Sequence, residues 1–271
     1  MAQHTVRTFD VELDDLSRKI VEMGRLVQKQ VAGSITALAK RDVEIARDVA
    51  ANRDTVDALH REIQESGIVT IARRQPVAGD LREIVGASRI AHDLEHVGDL
   101  AENVAKRVIT AEDKVQFNDV VLGIEHMGEL VLGQLSQVID SYIHRDAANA
   151  IEVWRNDAEI DSAYNSLFRE LLTYMMEDPH SISYCTHLLL SIKNIERLGD
   201  HAANVAESVY YIIEGRAFPE ELSRGDTTRR ATRRRSGIGP NPERMSARRL
   251  GPKAVINTRV RMHCREARYT G

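Results

Sequence analysis

The chain has 271 residues, enough for one or two domains, and 42% of them are hydrophobic, which provides a real core. Only 4% are aromatic, and the frequent alanine, leucine, glutamate and arginine favour helices over sheets. The net charge is -4, the amino terminus is charged from Arg7 onward, and no apolar stretch approaches the roughly 20 residues that span a bilayer, so we expect a soluble, cytoplasmic protein.

The first part of the chain predicts three helices. The first runs from about residue 8 to residue 40. The second follows KRD42 and carries an apolar stripe at Val49, Val56, Leu59 and Ile63, until the pattern ends at Pro76. The third contains the segment DLEHVGDLAEN, residues 93–103.

The next part predicts three more helices. Apolar residues three and four apart indicate a helix from about 118 to 145, and a second helix follows HRD146. A break comes at Pro179, where Asp178 is the predicted N-cap and the proline takes the first helical position. The last helix contains NIERLGDHAAN, residues 194–204.

These two parts are an internal duplication. A shift of 104 aligns residues 23–57 with 127–161 without a gap, with twelve identities, and a shift of 101 aligns 95–108 with 196–209, with eight identities in fourteen positions. Short connections between long helices make neighbouring helices antiparallel. We therefore predict an all-α fold of two tandem antiparallel three-helix bundles, residues 1–113 and 114–218.

The last segment, residues 219–271, differs in composition. Residues 222–271 hold fourteen Arg and Lys against three acids, and half of the six prolines of the chain. We predict a disordered, arginine-rich tail that is a solvated extension or binds nucleic acid or the acidic body. The body itself has 23 basic and 38 acidic residues, so we expect no binding to DNA or to anionic lipid there.

The repeated segments place oxygen donors in rows. Steps of four residues put Glu95, Asp99 and Asn103 on one helix face, and Glu196, Asp200 and Asn204 form the corresponding row. Two carboxylates four residues apart repel each other unless a cation neutralises them, and hard metal ions prefer such oxygens. The second helices add the matching acids Asp57 and Asp161. Gly98 and Gly199 remove bulk beside the rows, so that an ion, a hydroxide or a neighbouring helix can approach.

Other interpretations compete with a metal site. An ExxxD pair is often only a solvated face, and both copies could preserve a shared packing solution. Five histidines, His92, His96, His126, His187 and His201, do not recur at equivalent positions, which argues against their being ligands or phosphoacceptors. The acid-x-x-His pair of Asp57 and His60 also lacks a counterpart, since Tyr164 replaces the histidine. Cys185 and Cys264, without CxxC spacing, are interpreted as incidental.

Two other classes of protein share some of these features. A four-carboxylate di-iron enzyme requires paired ExxH motifs, and the chain offers only Glu177-Asp-Pro-His180, which a proline interrupts. A structural or dimerising helical adaptor needs no metal and is the stronger rival. No glycine-rich phosphate loop is present, so direct phosphate sensing has no visible site.

The duplicated ExxxD motif, the segment RQPVAGDLR at 74–82 and the segment ERLGDHAANVAE at 196–207 together resemble the PhoU family of bacterial phosphate-uptake regulators. The resemblance covers about residues 5–216. It implies a protein that is not an enzyme and that binds iron, zinc, magnesium or manganese ions. By resemblance, the metal ligands are Glu95, Asp99, Glu196 and Asp200, with Asp57 and Asp161 as further ligands.

The resemblance also implies partners. Members of the PhoU family link the ABC transporter for phosphate to a sensor histidine kinase, so that high phosphate represses uptake and the phosphate regulon. We therefore expect the cytoplasmic ATPase component of the transporter and the kinase as partners, with a second copy of the chain in a homodimer. Contact with the membrane is expected only through these partners.

Overall fold

The computed structural model describes residues 2–111 and 117–219, with side chains from Phe9 onward. It has no strand in these ranges and seven α-helices, which confirms the predicted all-α fold. The helices are α1 (Ala2–Lys40), α2 (Val43–Ala51), α3 (Arg53–Arg74), α4 (Ala78–Thr110), α5 (Asn118–His144), α6 (Ala147–Glu177) and α7 (Ile182–Glu214). None of the described helices is both long enough and apolar enough to cross a membrane. The tail is predicted to be disordered, and its residues after Pro219 lie outside the described ranges.

The repeated Arg-Asp pairs explain how the first helix of each bundle ends. Arg41 and Arg145 have left-handed backbones, with φ angles of 56° and 53°, and so terminate α1 and α5. Asp42 then caps α2 by accepting hydrogen bonds from the backbone N–H groups of Glu44 and Ile45, and Asp146 caps α6 in the same way through Asn149. The turn between antiparallel helices is thus encoded twice.

Two helix boundaries differ from the prediction. The second helix of the first bundle is interrupted at Asn52, whose side-chain amide donates to the carbonyl of Asp48 at 2.6 Å and competes with the backbone. Asp178 is an N-cap as predicted, but Pro179 opens a short 3-10 helix, Pro179–Ser181, before α7 begins at Ile182. The side chain of Asp178 accepts from the backbone N–H of His180 there.

The two three-helix bundles share one hydrophobic core. Within the first bundle α4 packs on α1, α2 and α3, and within the second α7 packs on α5 and α6. Contacts between bundles run along α4 with α7 and along α1 with α5. Residues 1–218 consequently form one compact unit. Fully buried side chains from both bundles contribute to it, among them Ile20, Met23, Leu94, Met127, Leu135 and Ile192.

The contact between α1 and α5 repeats the symmetry of the sequence. A Cβ atom on Gly24 would lie 2.6 Å from Cδ1 of Ile139, and one on Gly128 would lie 2.6 Å from Cγ2 of Ile35. The 104-residue shift relates Gly24 to Gly128 and Ile35 to Ile139. Each glycine therefore accepts the isoleucine of the other repeat, as in a two-fold symmetric interface.

The polar contacts between the bundles follow the same symmetry with different chemistry. Arg145 donates to Glu83 at 2.6 Å. At the related pair of positions, the guanidinium of Arg41 lies 4.4 Å from the ring centre of Tyr184, a cation–π contact. The duplication has thus kept the positions of these contacts and changed their residues.

Candidate metal centre

The acids of the first row come together as predicted. Glu95 and Asp99 lie one turn apart on α4, and Asp57 faces them from α3. The three carboxylates each place an oxygen within 4.8 Å of the others. This separation is close enough for a shared cation. Asn103, the last residue of the predicted row, is exposed.

A guanidinium already lies among these carboxylates. Arg53, at the first position of α3, contacts Asp99 directly and lies 3.7 Å from Glu95 and 3.4 Å from Asp57. It also donates to Glu102 at 3.1 Å. The side chain of Arg53 is 32% exposed, so it can move out of the cluster without crossing the core. Arg53 was not among the residues predicted for the site.

Burial and charge perturb the pKa values of this cluster. Burial raises the pKa of Asp99, and the nearby Glu95 carboxylate raises it further, although Arg53 opposes both effects. For Arg53, burial acts to lower the pKa, but the hydrogen bond to Glu102 and the charge of Asp99 raise it above its usual value. The acids of the first row therefore attract cations, and the guanidinium of Arg53 already supplies one positive charge.

The second row lies on α7 and is neutralised differently. Lys193 donates to both oxygens of Glu196, at 2.6 Å and 2.5 Å. Burial raises the pKa of Asp200 to about 6, and the Glu196 and Asp161 carboxylates add to that shift. Within the described residues, Asp161, Glu196 and Asp200 do not form a group as tight as that of the first row.

The position of Arg53 holds an acid in the second repeat. The 104-residue shift pairs Arg53 with Asp157, which is only 2% exposed. Gln134 donates to Oδ1 of Asp157 at 3.3 Å and to the carbonyl of Val153 at 3.0 Å. The second row thus has an additional buried carboxylate nearby and no arginine at this position.

The two glycines of the motif make room for neighbouring side chains. A Cβ atom on Gly98 would lie 3.2 Å from Oε1 of Gln30, and one on Gly199 would lie 2.9 Å from both Asp157 and Ile160. Of the three possibilities raised by the sequence, the approach of a neighbouring helix is the one that this geometry favours. The glycines are buried packing positions.

Histidines that the duplication does not repeat converge beside the first row. His60 on α3, His92 and His96 on α4, and His201 on α7 form a chain of rings with centre separations of 6.0, 4.4 and 5.2 Å. Burial lowers the pKa of His60 and of His96, and for His96 the neighbouring His201 and His92 lower it further. His126 is exposed and outside this chain, and Cys185 is buried and free.

The donor set fits a hard cation on one condition. Carboxylate oxygens suit Mg²⁺, Mn²⁺ or ferric iron, and the first row gathers three of them. Arg53 must move away for a metal ion to replace its charge. The di-iron alternative finds no support in the described residues, because Glu177 ends α6 and His180 lies in the 3-10 helix rather than on a facing helix.

Comparison with known proteins identifies the family. A family model described as "PhoU domain" matches residues 20–108 and 124–209, one match in each bundle. A "Phosphate-specific transport system accessory protein PhoU homolog" of Rhizobium meliloti (strain 1021) is 49% identical over 225 residues, covering 83% of this chain and 95% of that protein. The homolog of the same name from Caulobacter vibrioides (strain NA1000 / CB15N) is 44% identical over 223 residues, covering 82% and 95%.

Solved structures agree with these matches. The crystal structure of PhoU from Pseudomonas aeruginosa has a TM-score of 0.73 and 36% identity, covering 77% of this chain and all of that one (100%). A phosphate transport system regulatory protein PhoU from Streptococcus pneumoniae has a TM-score of 0.71 and 27% identity, covering 78% and 99%. The resemblance noted in the sequence is confirmed: the chain belongs to the PhoU family.

Proposed function

We propose that the protein is a negative regulator of phosphate uptake and of the phosphate regulon. It couples the cytoplasmic ATPase component of a phosphate ABC transporter to a sensor histidine kinase, and it acts in the cytoplasm as a homodimer without catalysing a reaction. The observation that carries the proposal is the 49% identity to an accessory protein of phosphate-specific transport over 95% of that protein's length.

Metal binding is the second part of the proposal. Glu95, Asp99 and Asp57 hold one hard or ferric ion, and Glu196, Asp200 and Asp161 hold another. The gathering of the first three oxygens within 4.8 Å supports the first site. At the second, burial raises the pKa of Asp200 to about 6, and the Glu196 and Asp161 carboxylates add to that shift, which supports a site for a cation there. A bound cation relieves the repulsion that burial strengthens in both rows.

A metal-independent adaptor is the second candidate function. The contacts of Arg53 with the first row and of Lys193 with Glu196 favour it, because they already neutralise part of the negative charge. In that case the acids maintain the packing of the helices, and the protein docks to its partners through its helical surfaces.

A gene deletion tests the regulatory role. We expect the deletion strain to express a phosphate-regulon reporter in high phosphate, because the transporter no longer signals to the kinase. The intact gene should restore repression. Normal repression in the deletion strain would contradict the proposed function.

Complementation with a charge-neutral variant separates the two candidates. The variant carries Glu95→Gln, Asp99→Asn, Glu196→Gln and Asp200→Asn, which keep the side-chain shapes. If metal is needed, the variant should accumulate but fail to repress the reporter. Full repression by this variant, with no metal in the purified parent protein, favours the adaptor.

A further inference from the structure

A group of imidazoles lies where the two repeats meet, next to the first acidic row. His92 and His96 are one turn apart on α4, and each places a ring nitrogen within 4.8 Å of the other's and of a Glu95 oxygen. His201 reaches the same place from α7, with its ring centre 5.2 Å from that of His96. Two helices from different repeats therefore contribute donors to one location.

The second repeat has no such group. The 101-residue shift pairs His92 with Lys193 and His96 with Arg197. Lysine and arginine keep their protons and do not ligate metals at neutral pH. The His92 and His96 imidazoles are therefore a feature of the first repeat alone, and neither belongs to the duplicated residues of the ExxxD rows.

The spacing on α4 suits chelation. Residues four apart on a helix face the same side, which is how two histidines of a helical metal motif bind one ion. His92 is exposed and His96 half-buried, so small rotations of both rings are available. Ligand atoms that each lie roughly 2.0–2.1 Å from one zinc ion are closer to one another than 4.8 Å, and such rotations bring them that close.

The contacts of His201 suit a ligand as well. Its Nδ1 lies 2.9 Å from Oδ1 of Asp93, and Asn204 donates to the same oxygen at 3.4 Å. A carboxylate that holds one ring nitrogen fixes the tautomer and leaves Nε2 as the donor. Because Asp93 lies on α4 and His201 on α7, this contact also joins the repeats.

We propose that His92, Glu95 and His96, together with His201 from the other repeat, bind one divalent ion of the zinc class. Imidazole nitrogens favour zinc, nickel, cobalt or copper over the hard ions that suit carboxylates alone. The ion fastens α4 to α7 and so fixes the relative position of the repeats. This site goes beyond the proposed phosphate regulation, and it shares Glu95 with the metal site proposed for the first row, so the two ions compete for that carboxylate.

Zinc titration of the full-length protein tests the site. Metal is first removed with a chelator, and Zn²⁺ binding is measured by calorimetry for the parent and for His92→Gln/His96→Gln. We expect the double variant to lose at least about tenfold in Zn²⁺ affinity, since it lacks two ligands. His201→Gln alone should lose about tenfold.

His126→Gln is the matched control, because His126 is exposed on α5 and outside the cluster. It should bind Zn²⁺ like the parent, and circular dichroism should show that all variants remain helical. Zinc binding by the double variant at the affinity of the parent would place the ion in the acidic rows and overturn the proposal. A parent that binds no Zn²⁺ would also overturn it.

Discussion

The two repeats have the same acidic row and compensate its charge in opposite ways. In the first, Arg53 extends from α3 to carboxylates on α4, so the compensating cation comes from a different helix. In the second, Lys193 neutralises Glu196 from three residues earlier on the same helix, and Asp157 occupies the position of Arg53. The acids are thus the same in both repeats, whereas the residues that compensate their charge differ.

The neighbouring positions differ in a related way. In the first repeat, His60 and His92 lie near each other. In the second, Tyr164 and Lys193 occupy the related positions, and the Lys193 ammonium lies 5.0 Å from the centre of the Tyr164 ring. The first repeat thus has two imidazoles beside its acidic row, and the second has a tyrosine and a lysine ammonium. Changing one repeat at a time measures what these differences contribute.

The largest expected difference between the repeats concerns the motif glycines. Gly199→Ala should lower the free energy of unfolding by about 2 kcal/mol, because its Cβ would press on Asp157 and Ile160 at 2.9 Å inside the core. Gly98→Ala meets its nearest atoms at 3.2 and 3.4 Å and gains helix propensity, so its effect should stay below about 0.5 kcal/mol. Urea unfolding measures both, and equal losses would contradict the difference in packing.

Removal of the Asp200 charge should stabilise the metal-free protein. The pKa of Asp200 is raised to about 6 from 3.8, so the folded state binds a proton more tightly than the unfolded state. Stability from this group therefore falls as the pH rises from about 4 to about 6. At pH 7, Asp200→Asn should gain about 1–2 kcal/mol, and below pH 4 it should gain nothing.

Asp140→Asn is the control for this pH profile, because Asp140 is exposed on α5. Urea unfolding at pH 4, 5 and 7 should give parent-like stability for the control throughout. If Asp200→Asn were no more stable than the parent at pH 7, as is expected at pH 4, the negative charge of Asp200 would already be compensated in the parent.

The smallest expected effect concerns the two cations. In metal-free protein, Arg53→Met should cost about 1 kcal/mol, because Arg53 contacts acids on two helices. Lys193→Met should cost less than about 0.5 kcal/mol, because Lys193 is 42% exposed and pairs within its own helix. Thermal unfolding compares them. Added Mn²⁺ should restore the stability of Arg53→Met to that of the parent. If it did not, the guanidinium would not occupy the place of a metal ion.

Much of the fold follows from the sequence. The 3.6-residue periodicity, the Arg-Asp turns and the prolines predicted the helices, and the duplication predicted two bundles. The interruption at Asn52 was not predictable, since Asn156 occupies the related position inside an unbroken α6. The shared core was not predictable either, because the contact of each glycine with an isoleucine depends on how the bundles dock.

The site was predictable only where the duplication marked it. Both acidic rows stood out because Glu, Gly, Asp and Asn recur together. Arg53 and the histidines differ between the repeats, so the duplication does not mark them, and the lack of a repeat argued against the histidines as ligands. The mismatch of Arg53 with Asp157 in the alignment was the one available signal, and its meaning depends on the packing of α3 on α4.

Metal content tests the central claim most directly. Protein purified without chelator or nickel is analysed for iron, zinc, manganese and magnesium, in a background that carries His92→Gln and His96→Gln so that imidazole-bound ions are not counted. Glu95→Gln/Asp99→Asn and Glu196→Gln/Asp200→Asn should each remove the metal of one row, and the combined variant should hold none. A combined variant with the metal content of its background protein would show that the acidic rows are not metal ligands.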